Sequence, residues 1–409
     1  MSDLSRRAFL SRSALLGCSL AASPLVTPVT FAATPGENRL VIIILRGAMD
    51  GLGTVLPYGD RDWVGLRGAL AAGGDGPQDL DGFFALHPAL SPLLPLWTRG
   101  QLGFVHAVST PYRVKRSHFD GQDLLEAGIN DLSQGLSRDG WLNRMLQHYP
   151  GITTETAYAV GRDSLAILGG QAPVSRWTPE ADLALTPQAL RLAELVMQDD
   201  PVFSAALAQA FSLADSDGDP VAMEMSPTDM MSAMRDDMKA ARGKAAEVRL
   251  AEFAAQRLKG DSRIAAFSIN GWDTHERQDV ALGRSLGKLS DVILSLRDGL
   301  GAPVWERTAV IAMTEFGRTA RINGTMGTDH GTGGAMILAG GAVRGGRVVA
   351  DWPGLSEAAL YDRRDLMPTR DLRAHAGWII RGLFGLDQRV IERDVFPGVD
   401  LGRNPDLLL

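Results

Sequence analysis

Leu40-Val41-Ile42-Ile43-Ile44-Leu45 is an unbroken aliphatic run closed at both ends by a charge, Arg39 and Arg46. Successive side chains of a strand point to opposite faces, so a run with no polar residue fits only where both faces are covered. This stretch therefore predicts a central strand between two layers. Residues 102–108, 263–269, 308–313 and 335–339 read as further strands. Between the third and fourth strands lies a helical pattern over about 280–297, with Leu282, Leu286, Leu289 and Ile293 on one face. Strand, helix and strand in that order predict an α/β fold: a mostly parallel central sheet with helices on both faces.

The chain has 409 residues, 45% of them hydrophobic, and a net charge of −7. That length suffices for one large α/β domain or two ordinary ones. An acidic chain without a basic run does not suit nucleic acid. Over about 141–260 helical periodicity takes over, which predicts a helical insertion or cap on the sheet domain. Met230, Met234, Met238 and Ala241 recur there at helix spacing, as core packing does. Ser216-Asp217-Gly218-Asp219 lacks the ligand series of a calcium loop and reads as a turn.

The N-terminus reads as an address. Arg6-Arg7 followed by Phe9-Leu10 matches the signal of the twin-arginine translocase, which exports folded cargo. The apolar stretch behind it is broken by Ser19, Ser23, Pro24 and Pro28, so it is a poor membrane span, and no later segment is apolar enough to make one. Thr30-Phe31-Ala32-Ala33 offers small residues for cleavage. The expectation is a signal peptide over 1–33, a single domain over 34–409, and delivery to the periplasm or beyond. The only cysteine, Cys18, lies in the leader, and lipid anchoring there is the alternative. Cleavage near Ala33 would exclude disulfides, thiolate metal sites and cysteine nucleophiles.

In layered α/β folds ligands gather beyond the carboxyl ends of strands. The segments that follow or flank the predicted strands are Arg46-Gly47-Ala48-Met49-Asp50-Gly51, Arg116-Ser117-His118-Phe119-Asp120, Gly271-Trp272-Asp273-Thr274-His275, Glu315-Phe316-Gly317-Arg318-Thr319 and Gly327-Thr328-Asp329-His330-Gly331. His118, His275 and His330 all sit there beside carboxylates. One Asp-His pair is ordinary, but several in converging loops have the composition of a metal site built from oxygen and imidazole.

Together with the leader, these motifs resemble a family of exported bacterial proteins catalogued as domain of unknown function 1501, which is similar to the alkaline phosphatase and sulfatase superfamily. The resemblance implies an alkaline-phosphatase-like fold with two metal positions flanking a nucleophile at a helix N-terminus. Matched by motif order, Asp50 is the acid after the first strand and Ser117 falls near the nucleophile position. Asp273, His275 and His330 match the ligands of one metal, Glu315 an acid of the other, and Asp329 an extra carboxylate beside His330. Departures are visible too. Glu315-Phe316 stands where the superfamily has Asp-His, and no sulfatase nucleophile motif surrounds Ser117, which argues against a formylglycine sulfatase.

The resemblance implies hydrolysis of phosphate or related esters, assisted by one or two divalent ions, zinc, manganese or iron. Arg46, Arg116 and Arg318 would clamp a small anionic substrate. The alternative is a catalytically degenerate member that binds a ligand or partner protein in the periplasm.

Overall fold

The computed structural model describes residues 29–32, 36–72, 76–113, 115–132, 139–149, 152, 157–159, 165–174, 176–177 and 246–409. The chain divides into two compact units, Met1–Thr178 with Ala246–Leu409, and Pro179–Ala245. All described residues belong to the first. Arg6-Arg7, Cys18, the methionine stripe and the Ser216–Asp219 turn lie outside them.

The principal strands are β1 (Val29–Ala32), β2 (Arg39–Arg46), β3 (Leu102–Ser109), β4 (Ile264–Asn270), β5 (Thr308–Met313) and β6 (Gly334–Ala339). Their spatial order is β3-β6-β5-β2-β4-β1, with two-residue strands at Val348–Val349 and Arg370–Asp371 against β3, and a three-residue strand at Ala157–Ala159 beyond β1. β2 is central and pairs in parallel with β4 and β5. The sheet is thus mostly parallel, as the aliphatic runs predict. β6 runs antiparallel between β5 and β3, and β1 antiparallel on β4. β1 falls within the stretch read as the end of the leader.

Alternation along β2 builds two cores. Val41, Ile43 and Leu45 pack on one face with helices α3 (Ala246–Lys259) and α4 (Gln278–Leu300). Leu40, Ile42 and Ile44 pack on the other with α2 (Trp141–Leu146) and α5 (Leu372–Phe384). All six aliphatic side chains of β2, Leu40 to Leu45, are fully buried. At about 1.5–3 kcal/mol for each fully buried aliphatic side chain, this strand anchors both layers. Helix α4 exposes the logic of its pattern: Leu282, Leu286, Leu289 and Ile293 all enter the first core. The described flanks of the expected insertion, α2 and α3, belong to the sheet unit.

Candidate metal centre at the sheet edge

β2, β3, β4 and β5 point their carboxyl ends to one edge. β6 is antiparallel, so the loop before it reaches that same edge and carries Asp329 and His330 there. Helix α1 (His118–Ala127) begins at this edge, with Ser117 as its N-cap. Two glycines permit the close approach of these loops. A Cβ on Gly47, whose φ is +118°, would lie 2.6 Å from the Asp273 nitrogen, and one on Gly327 would lie 2.0 Å from the His275 carbonyl oxygen. No side chain fits at either distance.

Three imidazoles converge on one carboxylate oxygen. Asp273 Oδ1 lies 3.0 Å from His275 Nε2, 3.2 Å from His330 Nε2 and 3.4 Å from His118 Nε2. His275 Nε2 and His330 Nε2 are themselves 3.0 Å apart. Among the described residues, His118, Asp273 and His330 form a group able to hold a metal ion, their ligand atoms all within 4.8 Å of one another. The Asp273 and His275 side chains are 47% and 41% exposed, so the group is open to solvent.

The remaining ring nitrogens fix the chemistry. His118 Nδ1 meets Glu315 Oε1 at 2.8 Å, His275 Nδ1 meets Asp329 Oδ1 at 3.1 Å, and His330 Nδ1 meets the Arg116 carbonyl at 2.8 Å. Each partner only accepts, so in the neutral rings each Nδ1 carries the proton and each Nε2 presents a lone pair. Three lone pairs and a carboxylate oxygen therefore face one another, and His118 Nε2 is buried without a hydrogen-bond partner. This donor set fits a cation. The separations from Asp273 Oδ1 to the three rings, and between the His275 and His330 Nε2 atoms, are close to the edge of about 3.3 Å between ligands about 2.0–2.1 Å from a tetrahedral zinc, and His118, Asp273 and His330 are the set whose ligand atoms all lie near one another. Carboxylate or carbonyl support behind each imidazole is the usual second layer of a metal site.

Electrostatics follow the same arrangement. Burial would raise the Asp273 carboxyl, but the hydrogen bond and charge of Arg318, helped by His275 and His118, bring it down to about 2. The bond to Glu315 raises His118, whereas burial lowers His330. Burial opposes ionisation of Glu315, yet its bonds from His118, Thr314 and Gln122 hold it low. Phe316 stacks on His118 with ring centroids 5.2 Å apart and backs His330 at 5.4 Å.

The residues proposed from sequence thus separate into groups. Asp273, His275 and His330 come together, and His118, grouped with them in the sequence as a strand-end histidine but given no ligand position by the family resemblance, joins them. Its signal was a histidine beside a carboxylate in a strand-end loop, the same as for His275 and His330. Glu315 is fully buried, with its oxygens taken by Gly47, His118, Gln122 and Thr314, so it orients His118. Asp329 orients His275 and also accepts from Asn323. Asp50 lies in a separate buried pair: Arg67 grips both its oxygens, one through Nη2 at 3.0 Å, and Gln278 donates at 2.6 Å.

The three arginines named as anion clamps are held internally. Arg318, 1% exposed, donates to the carbonyls of Gly47, Ala48, Trp272 and Thr328 and to Asp273 at 2.5 Å. Arg46 pairs with Glu126 at 2.5 Å and Gln122 at 2.7 Å. Arg116 pairs with buried Asp365 at 2.9 Å, and this anchor holds a residue with φ of +50° whose carbonyl faces His330. The Ser117 hydroxyl caps α1 by accepting from Asp120 N at 3.5 Å. Among the described residues, no imidazole or carboxylate hydrogen-bonds it.

A mixed α/β sheet bearing a His/Asp/His group at its edge defines the class: an α/β protein with a candidate metal centre. The chain belongs to the family described as protein of unknown function (DUF1501), whose model matches residues 91–376. The match includes the His118, Asp273, His275 and His330 cluster and excludes Asp50 and Arg67. No curated protein matches the chain. No helix among the described residues is long and apolar enough to cross a membrane.

Proposed function

We propose that this chain is an exported, metal-dependent hydrolase of phosphate or related esters, with its metal held by His118, Asp273, His275 and His330. The observation that carries the reading is the convergence of three Nε2 lone pairs on Asp273 Oδ1, each ring fixed from behind by an acceptor. Neutral imidazole and carboxylate suit zinc, manganese or iron better than calcium. Bound there, the ion supplies Lewis acidity toward an ester oxygen. Glu315, Asp329 and the Arg116 carbonyl hold the imidazoles in the ligating tautomer. Arg318 keeps Asp273 ionised. Because Asp50 and Glu315 are engaged by protein donors, a single ion is proposed. The resemblance of the strand-end motifs to the alkaline phosphatase superfamily, and of Arg6-Arg7 with Phe9-Leu10 to a twin-arginine leader, support this reading and a periplasmic site of action.

A second reading has its own support. Ser117 serves as a helix cap without a base, and Arg46, Arg116 and Arg318 are bound internally, so the metal centre would bind a ligand without turning it over. One experiment covers both readings. Protein recovered from the periplasmic fraction is analysed for metals and assayed on aryl phosphate and aryl sulfate esters. The expected result is a bound transition metal, lost in an Asp273→Ala, His330→Ala form, with hydrolysis lost alongside. Metal without turnover selects the binding reading, and no metal in the parent overturns the centre. Replacing Arg6 and Arg7 by lysine should empty the periplasmic fraction; undiminished delivery would rule out the twin-arginine route.

A further inference from the structure

The arginines expected at the site are internally bonded, but four others ring a cleft that shares a wall with it. Arg61, Arg321, Arg363 and Arg364, from three separate stretches of chain, line a cavity of about 730 Å³ that also contacts Asn323 and Asp329. Those last two residues hold His275: Asp329 bonds its Nδ1 and Asn323 its carbonyl. The cleft therefore begins one side chain from the imidazole cluster. Its volume falls in the range of small-molecule sites, about 300–1,000 Å³.

These guanidiniums are loosely engaged. Arg61 lies 3.7 Å from Asp62 and Arg363 lies 3.7 Å from Glu357, in pairs exposed enough to contribute little. Arg321 donates to the Gly65 carbonyl at 3.4 Å. Arg364 lies 3.3 Å from Asp365, whose stronger partner is Arg116 at 2.9 Å. Asp62, Glu357 and Asp329 also line the cleft, and Asp329 is already bonded to His275 and Asn323. In a chain of net charge −7, an excess of unsaturated guanidinium donors here is a local feature. Planar guanidinium forks match phosphate and sulfate oxygens.

We infer that this cleft binds the distal anionic group of a ligand carrying at least two phosphate or sulfate groups, one at the histidine cluster and the next among Arg61, Arg321, Arg363 and Arg364. The inference rests on the cluster being a metal centre that takes an anionic group, and it names the substrate class: bis-anionic or longer esters. Its test is calorimetric titration of the metal-loaded protein with fructose 1,6-bisphosphate and with fructose 6-phosphate. The bisphosphate should bind at least about tenfold tighter, one charge-assisted contact being worth roughly that factor. An Arg321→Ala, Arg363→Ala double variant alters exposed side chains only. It should erase the preference while retaining metal and the monophosphate affinity. Equal affinities in the parent, or a preference untouched by the double variant, overturn the inference. Repeating the bisphosphate titration on Asp273→Ala, His330→Ala protein separates the two claims. Binding that survives there and still falls on loss of Arg321 and Arg363 upholds the cleft even if the parent proves metal-free.

Discussion

Asp50 and Asp273 both follow a parallel strand of the same sheet, beyond β2 and β4, yet they live in opposite surroundings. Asp50 is fully buried, held at both oxygens by an equally buried Arg67 that lies over the Trp63 ring at 5.3 Å. Asp273 is 47% exposed; Arg318 meets its Oδ1 at 2.5 Å from the buried side, and three neutral imidazoles face the same oxygen from the other. One carboxylate is closed off with its counter-charge in the core; the other shares a buried Arg318 with four carbonyls and turns the same oxygen toward three imidazoles at the surface. The difference separates a structural ion pair from a binding group more cleanly than residue type does, since both are aspartates in strand-end loops.

The comparison makes its largest prediction for stability. Asp50→Ala strands the Arg67 charge in the core and should destabilise the metal-free protein by about 3–5 kcal/mol, the usual result of breaking a buried pair. Asp273→Ala should cost less: it too removes a partner of a buried guanidinium, but the carboxylate is half exposed and screened by solvent, and Arg318 keeps four carbonyl acceptors. Denaturant unfolding of both variants decides the matter; equal losses would erase the distinction between the two aspartates.

A smaller effect concerns acid. His106, near Asp50, accepts from Ala107 N through Nδ1 and meets the Val55 carbonyl through Nε2 at 3.0 Å. Burial pushes its pKa down to about 4. The unfolded chain takes up this proton near pH 6.5 and the folded chain only near 4, so stability falls as pH drops through that window and levels off below it. The loss is on the order of 3 kcal/mol. Asp273, held at about 2, stays ionised throughout. Unfolding free energies of parent and His106→Gln protein should therefore draw together by roughly that amount between about pH 7 and pH 4. A constant difference would show that His106 does not set this part of the acid limb.

Much of this was legible. The run Leu40–Leu45 gave its strand because aliphatic residues on both faces admit no other role, and the sheet-edge loops carried their Asp and His residues openly. The orientation of β6 was less plain, yet the stretch from Thr314 to Gly333 contains no crossover helix, and a helix-free connection favours an antiparallel return. That orientation is what brings His330 to the site. Arginine roles were not legible. Arg318 is buried and bonded while Arg321, three residues on, is exposed at a cleft, because their surroundings come from distant segments. The partner of Arg116, Asp365, is 249 residues away. Ser117 drew attention for standing before a helix, whereas its neighbour His118, flagged with the other strand-end histidines, received no ligand position from the resemblance.

The last prediction crosses between the two regions. Gln278, 2% exposed, donates to Asp50 Oδ2, and its Oε1 accepts from Thr274 Oγ1 at 2.8 Å and Thr328 Oγ1 at 2.5 Å. Thr274 lies between Asp273 and His275, and Thr328 precedes Asp329 and His330. One amide thus ties both loops of the cluster to the buried Asp50–Arg67 pair. Gln278→Met keeps the bulk and removes every one of these bonds. Removing such supporting contacts typically lowers metal affinity about 10- to 100-fold, and the low end is expected because the backbone bond from Thr328 N to the Thr274 carbonyl survives. Competition with a chelator measures it. His106→Gln is the control, a buried change in the same region without a link to either loop, and it should leave metal affinity unaltered. If Gln278→Met binds metal as the parent does, the loops hold the cluster by themselves and the Asp50 region is scaffold alone. If both variants weaken binding equally, general loosening of the region explains the effect better than the amide does.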